Sequence, residues 1–268
     1  MSSNGYPTSF DKEPNAVQVK KTAEGITTII MNRSQRRNAI DGPTGKKLTD
    51  AFLDFENDHS QKPNLRSRKP DTLVRELRNM NVLKAATLDL LGPPRMQIRK
   101  PIISAVSGYA VAGGLELSLL GDIRVAEEDA IFGIFCRRWG VPLIDGGTVR
   151  LQAIIGLGRA LDMILTGRGV GAQEALAMGL ANRVVPKGKA LDEATKIARQ
   201  LVTFPQGCMN ADRTSCYYAV YGASSFEDAL SFEYNNGIKV IDSESVKGAA
   251  RFSAGAGRHG KFDFEGKL

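Results

Sequence analysis

A single carboxylate stands among leucines in the stretch GYAVAGGLELSLLGD, residues 108–122. Glu116 follows the pair Gly113-Gly114, and leucines occupy the positions on both sides of it. If the chain buries Glu116, the pKa of its carboxyl rises toward the range that suits acid–base catalysis at neutral pH. An acid in the first turn of a helix is also stabilised by the helix dipole, which is a purely structural role. Spacing alone leaves both interpretations open.

The glycine pair is the second feature with chemical potential. A turn that leads into a helix leaves backbone N–H groups without partners, and glycine lets a ligand approach them closely. Gly113 is therefore a candidate donor to an oxygen that gains negative charge during a reaction, as in an oxyanion hole. The alternative is that Gly113 and Gly114 only permit tight packing, and spacing alone favours that alternative.

A second carboxylate, Asp145, lies in VPLIDGGTVRL, again just before a predicted helix. Two carboxylates that lie close in space can handle a water molecule between them. The structural alternative is that Asp145 is the N-cap of the helix that starts at GGTVRL.

Three arginines cluster in NRSQRRNAI, residues 32–40. Arg33, Arg36 and Arg37 could clamp phosphate groups, although a solvated charged loop would have the same sequence. The only tryptophan, Trp139 in CRRWGVP, is predicted to lie in the core or in a pocket wall. The two histidines, His59 and His259, fall in polar flanking segments, which argues against a Ser-His-Asp triad and against a histidine-rich metal site. We expect no metal.

Length, composition and net charge limit the classes of protein to which the chain can belong. The chain has 268 residues, 42% hydrophobic and 24% charged, enough for one large domain or two small ones. No apolar run is long enough to span a bilayer, and residues 1–15 lack the features of a signal peptide, so they are predicted to be a disordered lead. Three unpatterned cysteines indicate an intracellular, reducing compartment. The net charge of +7 attracts phosphates on nucleic acid, lipid or a nucleotide-bearing substrate, or serves solubility alone.

The elements that must position these residues alternate between strands and helices in the first half of the chain, which predicts an α/β sheet with crossover helices. Helices dominate from Leu191 onward. The predicted elements begin with a hairpin with its turn at Glu24-Gly25, a helix capped by Asp41, a buried strand in KPIISAVSGYAV and a helix over 114–120. They continue with a short strand, a turn and further extended chain in DIRVAEEDAIFG, two helices separated by Gly156–Gly158, a helix over 172–178 and a strand in LANRVV.

The segment KPNLRSRKPDTLVRE, residues 62–76, does not fit this alternation. A strand is required there, yet the segment has five basic residues, two prolines and few β-branched residues. The sequence therefore predicts an exposed basic loop.

Several segments, in their order, resemble the enoyl-CoA hydratase/isomerase (crotonase) family. They cover residues 17–57 and 100–260, and the central motif KPIISAVSGYAVAGGLEL followed by DIRVA is specific. The matching segments are ITTIIMNRSQRRNAI, KPIISAVSGYAVAGGLELSLLGDIRVAEEDAIFG, WGVPLIDGGTVRL, GLGRALDMILTGRGVGAQEALAMGLANRVVP and ESVKGAARFSAGAGRHG.

The resemblance implies an α/β fold of stacked ββα units. The core would be 16–200, with 62–99 atypical, and 201–268 would be a C-terminal helical trimerisation region. It implies trimers or hexamers and an acyl-CoA thioester as substrate, with coenzyme A part of the substrate and no separate cofactor. The compartment would be the cytoplasm, with the mitochondrion and, because the chain ends in GKL, the peroxisome as alternatives.

The resemblance also implies residue roles. Gly113 would hold the thioester oxygen together with an N–H from an upstream F-x-x-G-A-D loop, and Glu116 matches the first of two glutamates that add water to a 2-enoyl-CoA. The positions implied to contact substrate are Arg33, Arg37, Ala39, Ala112, Cys136 and Trp139.

The sequence departs from the family pattern in two places, and both bear on the reaction that is predicted. Cys136 stands where the second glutamate is expected, and a thiol does not simply replace a carboxylate because its unperturbed pKa is near 8.5. Asp145 is a candidate substitute, since dienoyl-CoA isomerases of this family have an active aspartate in a similar D-x-G-T motif. Hydration, isomerisation and another reaction through an enolate therefore stay open.

The second departure is the absence of a G-A-D loop between Asn57 and Lys100. Read one nucleotide out of frame, LRSRK can encode Tyr-Gly-Pro-Gly-Asn, and LVRE can encode small residues with Gly-Ala. We hypothesise that residues 63–76 come from a local frame error in the gene or its model. If the divergence is real, the chain is a weak enzyme, or a protein that only binds CoA esters or, given its charge, RNA.

Overall fold

The computed structural model describes residues 13–58, 72–80 and 93–257. The chain begins with the predicted hairpin, in which β1 (Val17–Lys21) and β2 (Ile26–Met31) pair antiparallel. Gly25 takes a φ of +90° in the turn, a conformation that glycine adopts without steric cost. The hairpin prediction is confirmed.

The predicted disordered lead falls mostly outside the described residues, but its last three residues are described and are bound to the domain. The side chain of Glu13 forms an ion pair with Arg33, and the carbonyl of Asn15 accepts a hydrogen bond from the side chain of Asn32. For residues 13–15 the prediction of disorder is wrong, because these polar contacts hold the chain beside the hairpin.

Helix α1 (Gly42–Asn57) begins as predicted at Asp41, whose carboxylate accepts the N–H of Thr44 at 3.0 Å. This N-cap satisfies one of the unpaired donors of the first turn. Four of its apolar side chains recur at helical spacing and are buried, namely Leu48, Ala51, Phe52 and Phe55.

The prediction of an exposed loop for 62–76 is wrong for its last residues. Strand β3 (Thr72–Met80) begins at Thr72 and pairs in parallel with β2 on one side and with β4 (Ile102–Val111) on the other. Two neighbouring strands provide hydrogen-bond partners along both edges of β3, and this outweighs the low strand propensity of its residues. Residues 62–71 lie outside the described part of the chain.

The turn after β4 enters the short helix α2 (Gly113–Ser118). Strands β5 (Ile123–Glu127) and β6 (Ile131–Gly133) follow, and both pair in parallel with β4, at successive positions along it. The last strands are β7 (Gly169–Gly171), antiparallel to β6, and β8 (Arg183–Val185), parallel to β5. Within the described residues the strand order is β1-β2-β3-β4-β5-β8, and β6 and β7 branch from β4.

Helices α3 (Gly147–Ile155) and α4 (Leu157–Thr166) are separated at Gly156, and α5 (Ala172–Ala177) follows β7. Gly156 has a φ of +83°, which ends α3 and starts α4 in a new direction. The boundary between α3 and α4 agrees with the predicted separation of two helices at Gly156–Gly158.

The C-terminal part is helical, as predicted, with α6 (Ala190–Leu201), α7 (Gln206–Tyr221), α8 (Phe226–Gly237) and α9 (Val246–Ser253). Helix α6 packs Ala194 and Ile197 against one face of the sheet, and a larger core with α1, α2 and α3 covers the other face. Within the described residues, no helix is both long and apolar enough to cross a membrane.

Candidate active site

The β4–α2 turn carries a strained residue. Ala112 has a φ of +53°, which is uncommon for a residue with a Cβ, and its N–H donates to the carbonyl of Gly133 at 2.9 Å. Such strain persists only where the surroundings hold it, and it is found most often at functional sites. The turn directs the next residues, Gly113 and Gly114, into the first turn of α2.

Gly113 is buried and begins α2. Among the described residues, its backbone N–H has no hydrogen-bond acceptor. The free N–H groups of a first helical turn carry a partial positive charge, so a donor of this kind suits an oxygen with developing negative charge.

Glu116 lies one helical turn further on and is only 3% exposed. Its Oε1 accepts two backbone hydrogen bonds, from the N–H of Asp145 at 2.9 Å and from the N–H of Gly147 at 3.0 Å. No described residue donates a hydrogen bond to the other carboxylate oxygen, Oε2. The carboxylate is thus fixed by one oxygen, which leaves the second for a substrate or a water molecule.

Burial raises the pKa of Glu116 from 4.5 to about 7, despite the two N–H donors and the nearby charge of Arg95, which lower it. The charge of Asp145 raises it further. A carboxyl that titrates near neutral pH can both give and accept a proton under physiological conditions.

Asp145 is 4% exposed, and burial raises the pKa of its carboxyl, while Arg95 lowers it. The structural alternative for Asp145 is excluded, because the N-cap of α3 is Gly146 and not Asp145. The negative charge of Asp145 favours the protonated form of Glu116.

Cys136 is buried in the 3₁₀ helix Phe135–Trp139. Burial raises the pKa of its thiol, and the charge of Glu116 raises it further, so the thiol lies near that carboxylate and is protonated at neutral pH. The structure therefore brings four of the predicted site residues together, namely Gly113, Glu116, Cys136 and Asp145.

Two further residues of this site were missed by sequence reasoning. A Cβ added to Gly147 would lie 2.8 Å from Cγ and 2.9 Å from Oε1 of Glu116, so the carboxylate occupies the space that a side chain would fill. The glycine pair of DGGT was the available signal. The second residue is Arg95, whose charge acts on both carboxylates, and no pattern in the sequence pointed to it.

The predicted phosphate clamp has a different arrangement. The guanidinium of Arg33 is buried and bonds to the carboxylates of Glu13 and Asp41, both at 2.6 Å, and to the carbonyl of Ala39. These contacts use all three nitrogens of the guanidinium, so a role for Arg33 in phosphate binding stays a prediction that this geometry does not favour. Arg37 is exposed, in a left-handed conformation with a φ of +50°.

Trp139 is 72% exposed, at the end of its 3₁₀ helix. A place in the core is wrong for this residue, because Gly140 reverses the chain immediately after it and leaves the indole on the surface.

A cavity of about 630 Å³ lies between α7 and the loop that precedes α3. Ile144, Gly146, Tyr217 and Tyr221 are among its wall residues. The arginines of its wall are already bonded to protein groups, as Arg213 is to Asp122. The cavity consequently suits an uncharged group better than a phosphate.

Comparison with known proteins identifies the class to which this fold and site belong. The model of the family enoyl-CoA hydratase/isomerase matches residues 75–261. The chain belongs to this family, and its fold is the crotonase fold, as the sequence motifs predicted.

Two curated relatives show the range of activities nearby. The short-chain-enoyl-CoA hydratase of Clostridium acetobutylicum is 30% identical over 201 residues, which cover 71% of this chain and 77% of the relative. The carnitinyl-CoA dehydratase of Escherichia coli is 34% identical over 191 residues, which cover 66% of this chain and 71% of the relative.

Solved structures support the same assignment. The enoyl-CoA hydratase of Mycobacterium tuberculosis superposes with a TM-score of 0.77 at 25% identity, and 89% of this chain and 96% of that one are covered. The enoyl-CoA hydratase of Mycobacterium marinum gives a TM-score of 0.74 at 27% identity with the same coverage.

Proposed function

We propose that this protein binds acyl-CoA thioesters and adds water to a 2-enoyl-CoA, with Glu116 as the acid–base group. The observation that carries the proposal is the buried carboxylate of Glu116, held by two N–H donors one helical turn from the free N–H of Gly113. The relatives named as a hydratase and a dehydratase act on CoA thioesters, in agreement with this chemistry.

In the proposed reaction the thioester oxygen accepts the N–H of Gly113. Glu116 removes a proton from a water molecule, the water oxygen bonds to C3 of the enoyl group, and negative charge moves to the thioester oxygen as an enolate. Return of the proton from Glu116 to C2 completes the addition. The N–H stabilises charge that develops only during the reaction, so it lowers the barrier rather than tightening substrate binding.

The second expected oxyanion donor is missing from the sequence. Strand β3 ends at Met80, which pairs with Ala110 only two residues before Ala112, so the chain leaves β3 beside the Gly113 turn. The residues that follow, 81–92, are outside the described part. Loss of one such donor typically costs on the order of 10² to 10³ in rate, so we propose that activity is low.

Isomerisation is the second candidate, because Cys136 replaces the second glutamate and Asp145 is buried next to Glu116. In this reaction Glu116 and Asp145 would move a proton between two carbons of the acyl chain, and no water would be added. Burial raises the pKa of both carboxyls, which favours proton exchange near neutral pH.

The test is a spectrophotometric assay with crotonyl-CoA that compares the wild-type protein with Glu116→Gln. We expect the substitution to lower kcat by on the order of 10² to 10⁴, the usual contribution of a general acid or base. Equal low activity in both proteins would count against an enzyme and in favour of a protein that only binds CoA esters.

Asp145→Asn separates the two reactions. Loss of 3-enoyl-CoA isomerisation with hydration retained would favour isomerisation as the role of Asp145, and loss of both would indicate a shared role. RNA binding stays a weaker alternative, and a steep decrease of RNA affinity with salt would show that any attraction is nonspecific.

We also propose an intracellular location and an assembly of three or six chains. The support is the three free cysteines, two of them exposed, and the family assignment.

A further inference from the structure

We propose that Arg95 is a positioning residue for Glu116 and orients its carboxylate through the peptide group that joins Ile144 to Asp145. This inference rests on the proposed role of Glu116 as the acid–base group. Arg95 lies in the 3₁₀ turn Pro93–Arg95, on the chain between β3 and β4.

One peptide group lies between the guanidinium and the carboxylate. Nη1 of Arg95 donates to the carbonyl oxygen of Ile144, and the N–H of the same peptide group, which belongs to Asp145, donates to Oε1 of Glu116 at 2.9 Å. In a trans peptide the C=O and the N–H point in opposite directions. A hydrogen bond at one end therefore fixes the direction of the other end, and hydrogen bonds in such a chain polarise one another.

The loop is least restricted one residue after this peptide group. Gly146 there has a φ of +91° and no Cβ, so the backbone of the loop is freer at this point than with any other residue. If the carbonyl of Ile144 lost its partner, the peptide could rotate and the N–H of Asp145 would leave Glu116.

The turn that carries Arg95 is itself fixed from the opposite side. Nη2 of Arg150, on α3, donates to the carbonyls of Pro94 at 3.1 Å and of Met96 at 2.9 Å, on either side of Arg95. The turn also passes close to the loop, since a Cβ on Gly146 would lie 3.4 Å from the carbonyl oxygen of Pro94. Arg95 and Arg150 thus form a reciprocal clamp between the turn and the start of α3.

In the part of the chain that the structure describes, the charged and titratable groups that face Glu116 are Asp145 in the loop, Arg95 in the turn and Cys136 in its 3₁₀ helix. Arg95 acts on the pKa of Glu116 in two ways, and both lower it. Its charge and the N–H that it orients both stabilise the ionised carboxylate, so removal of Arg95 raises the pKa of Glu116.

The direct test is a ¹³C NMR titration of the Glu116 carboxyl, assigned by comparison with Glu116→Gln. Arg95→Met removes the charge and the donor, and we expect the titration of Glu116 to move upward by on the order of one pH unit. Arg99→Met is the matched control, because Arg99 is an exposed arginine of the same segment whose guanidinium bonds to Glu56 instead. Arg95→Lys should give an intermediate shift.

The kinetic readout is the separation of kcat from KM with crotonyl-CoA. In Arg95→Met we expect kcat to fall by on the order of 10- to 100-fold with KM nearly unchanged, as for a misplaced catalytic group. Partial recovery in Arg95→Lys would support positioning.

Equal titration of Glu116 in Arg95→Met and Arg99→Met would overturn the inference, and Arg95→Gln gives the same test if the methionine variant fails to fold. An inactive wild-type protein would contradict the proposed function alone, since the NMR shift is measured without substrate.

Discussion

Glu116 combines two environments that act on its carboxyl in opposite directions. Burial favours the protonated form, while the N–H groups of Asp145 and Gly147 and the charge of Arg95 favour the ionised form. The resulting pKa of about 7 lies where both forms are populated at neutral pH. An acid in an exposed first turn would not have this property, so burial makes Glu116 chemically useful.

The raised pKa predicts that Glu116 makes stability depend on pH. Between pH 4.5 and about 7 the folded chain binds a proton at Glu116 that the unfolded chain has lost, so stability falls as pH rises through this range. The full difference is on the order of 3 kcal/mol. Glu116→Gln keeps the acceptor oxygen and abolishes the titration.

Urea unfolding at pH 5 and pH 8 measures this effect. We expect the difference in the free energy of unfolding, Glu116→Gln minus wild type, to be larger at pH 8 than at pH 5. The same difference between the two proteins at both pH values would contradict a raised pKa.

A substitution at Gly147 tests whether activity depends on the position of the Glu116 carboxylate. A methyl group there would overlap Cγ and Oε1 of Glu116, so Gly147→Ala must displace the acid. We expect kcat to decrease by about 100-fold in the crotonyl-CoA assay, with the protein still folded by circular dichroism. Gly158→Ala in α4 is the control, since a Cβ there meets no atom within 4 Å and should leave activity intact. Equal activity in both variants would show that Glu116 need not stay in place.

At the scale of elements, one partly buried carboxylate joins the sheet to the C-terminal helices. Asp122 accepts the N–H of Ile102 at 2.7 Å, the hydroxyl of Tyr217 at 2.7 Å and Nε of Arg213 at 2.9 Å. The N-terminal end of β4 is thereby fixed to α7. Burial and the adjacent charge of Asp122 raise the pKa of Tyr217, so this phenol stays a donor.

Asp122→Ala is expected to lower the free energy of unfolding by roughly 2–3 kcal/mol, because Arg213 and Tyr217 lose a charged acceptor in a partly buried place. Chemical denaturation measures the loss. Asp50→Ala, which breaks an exposed pair with Lys46, should change stability little. A comparable change in both variants would mean that Asp122 is not a special anchor.

The frame-error hypothesis for residues 63–76 has its own test. The place of β3 between two parallel strands is compatible with a real divergence and with a frame error confined to residues 63–76. Sequencing of the transcript decides between them, and a clean read that encodes NLRSRKPDTLVRE would eliminate the frame-error hypothesis.

At the scale of the whole molecule, α4 presents a row of exposed leucines. Leu157, Leu161 and Leu165 recur every four residues, so they lie on one face of the helix, and each is at least 39% exposed. Exposed apolar patches of this kind mark interaction surfaces. The predicted assembly of three or six chains would supply a partner for this face.

Light scattering coupled to size-exclusion chromatography tests this prediction. We expect the wild-type protein at three or six times the mass of one chain, and Leu161→Lys at a lower mass, because a charge in the row opposes its burial. Leu53→Lys, at an exposed leucine of α1, should keep the wild-type mass. A monomeric wild-type protein would contradict the assembly.

Elements with strong local signals, and the candidate site residues that lie within one motif, can be predicted from the sequence. The cap at Asp41, the break at Gly156 and the pair of Gly113 and Glu116 were all readable, because each depends on neighbours a few residues away.

Three other features depend on contacts between parts of the chain that are distant in sequence. Arg95 donates to a carbonyl in a loop some fifty residues further along the chain, and Arg33 forms ion pairs with carboxylates that precede and follow it. Strand β3 forms because a strand flanks it on each side. These outcomes depend on groups brought together through space, and the energy of such contacts leaves no period or propensity in the local sequence.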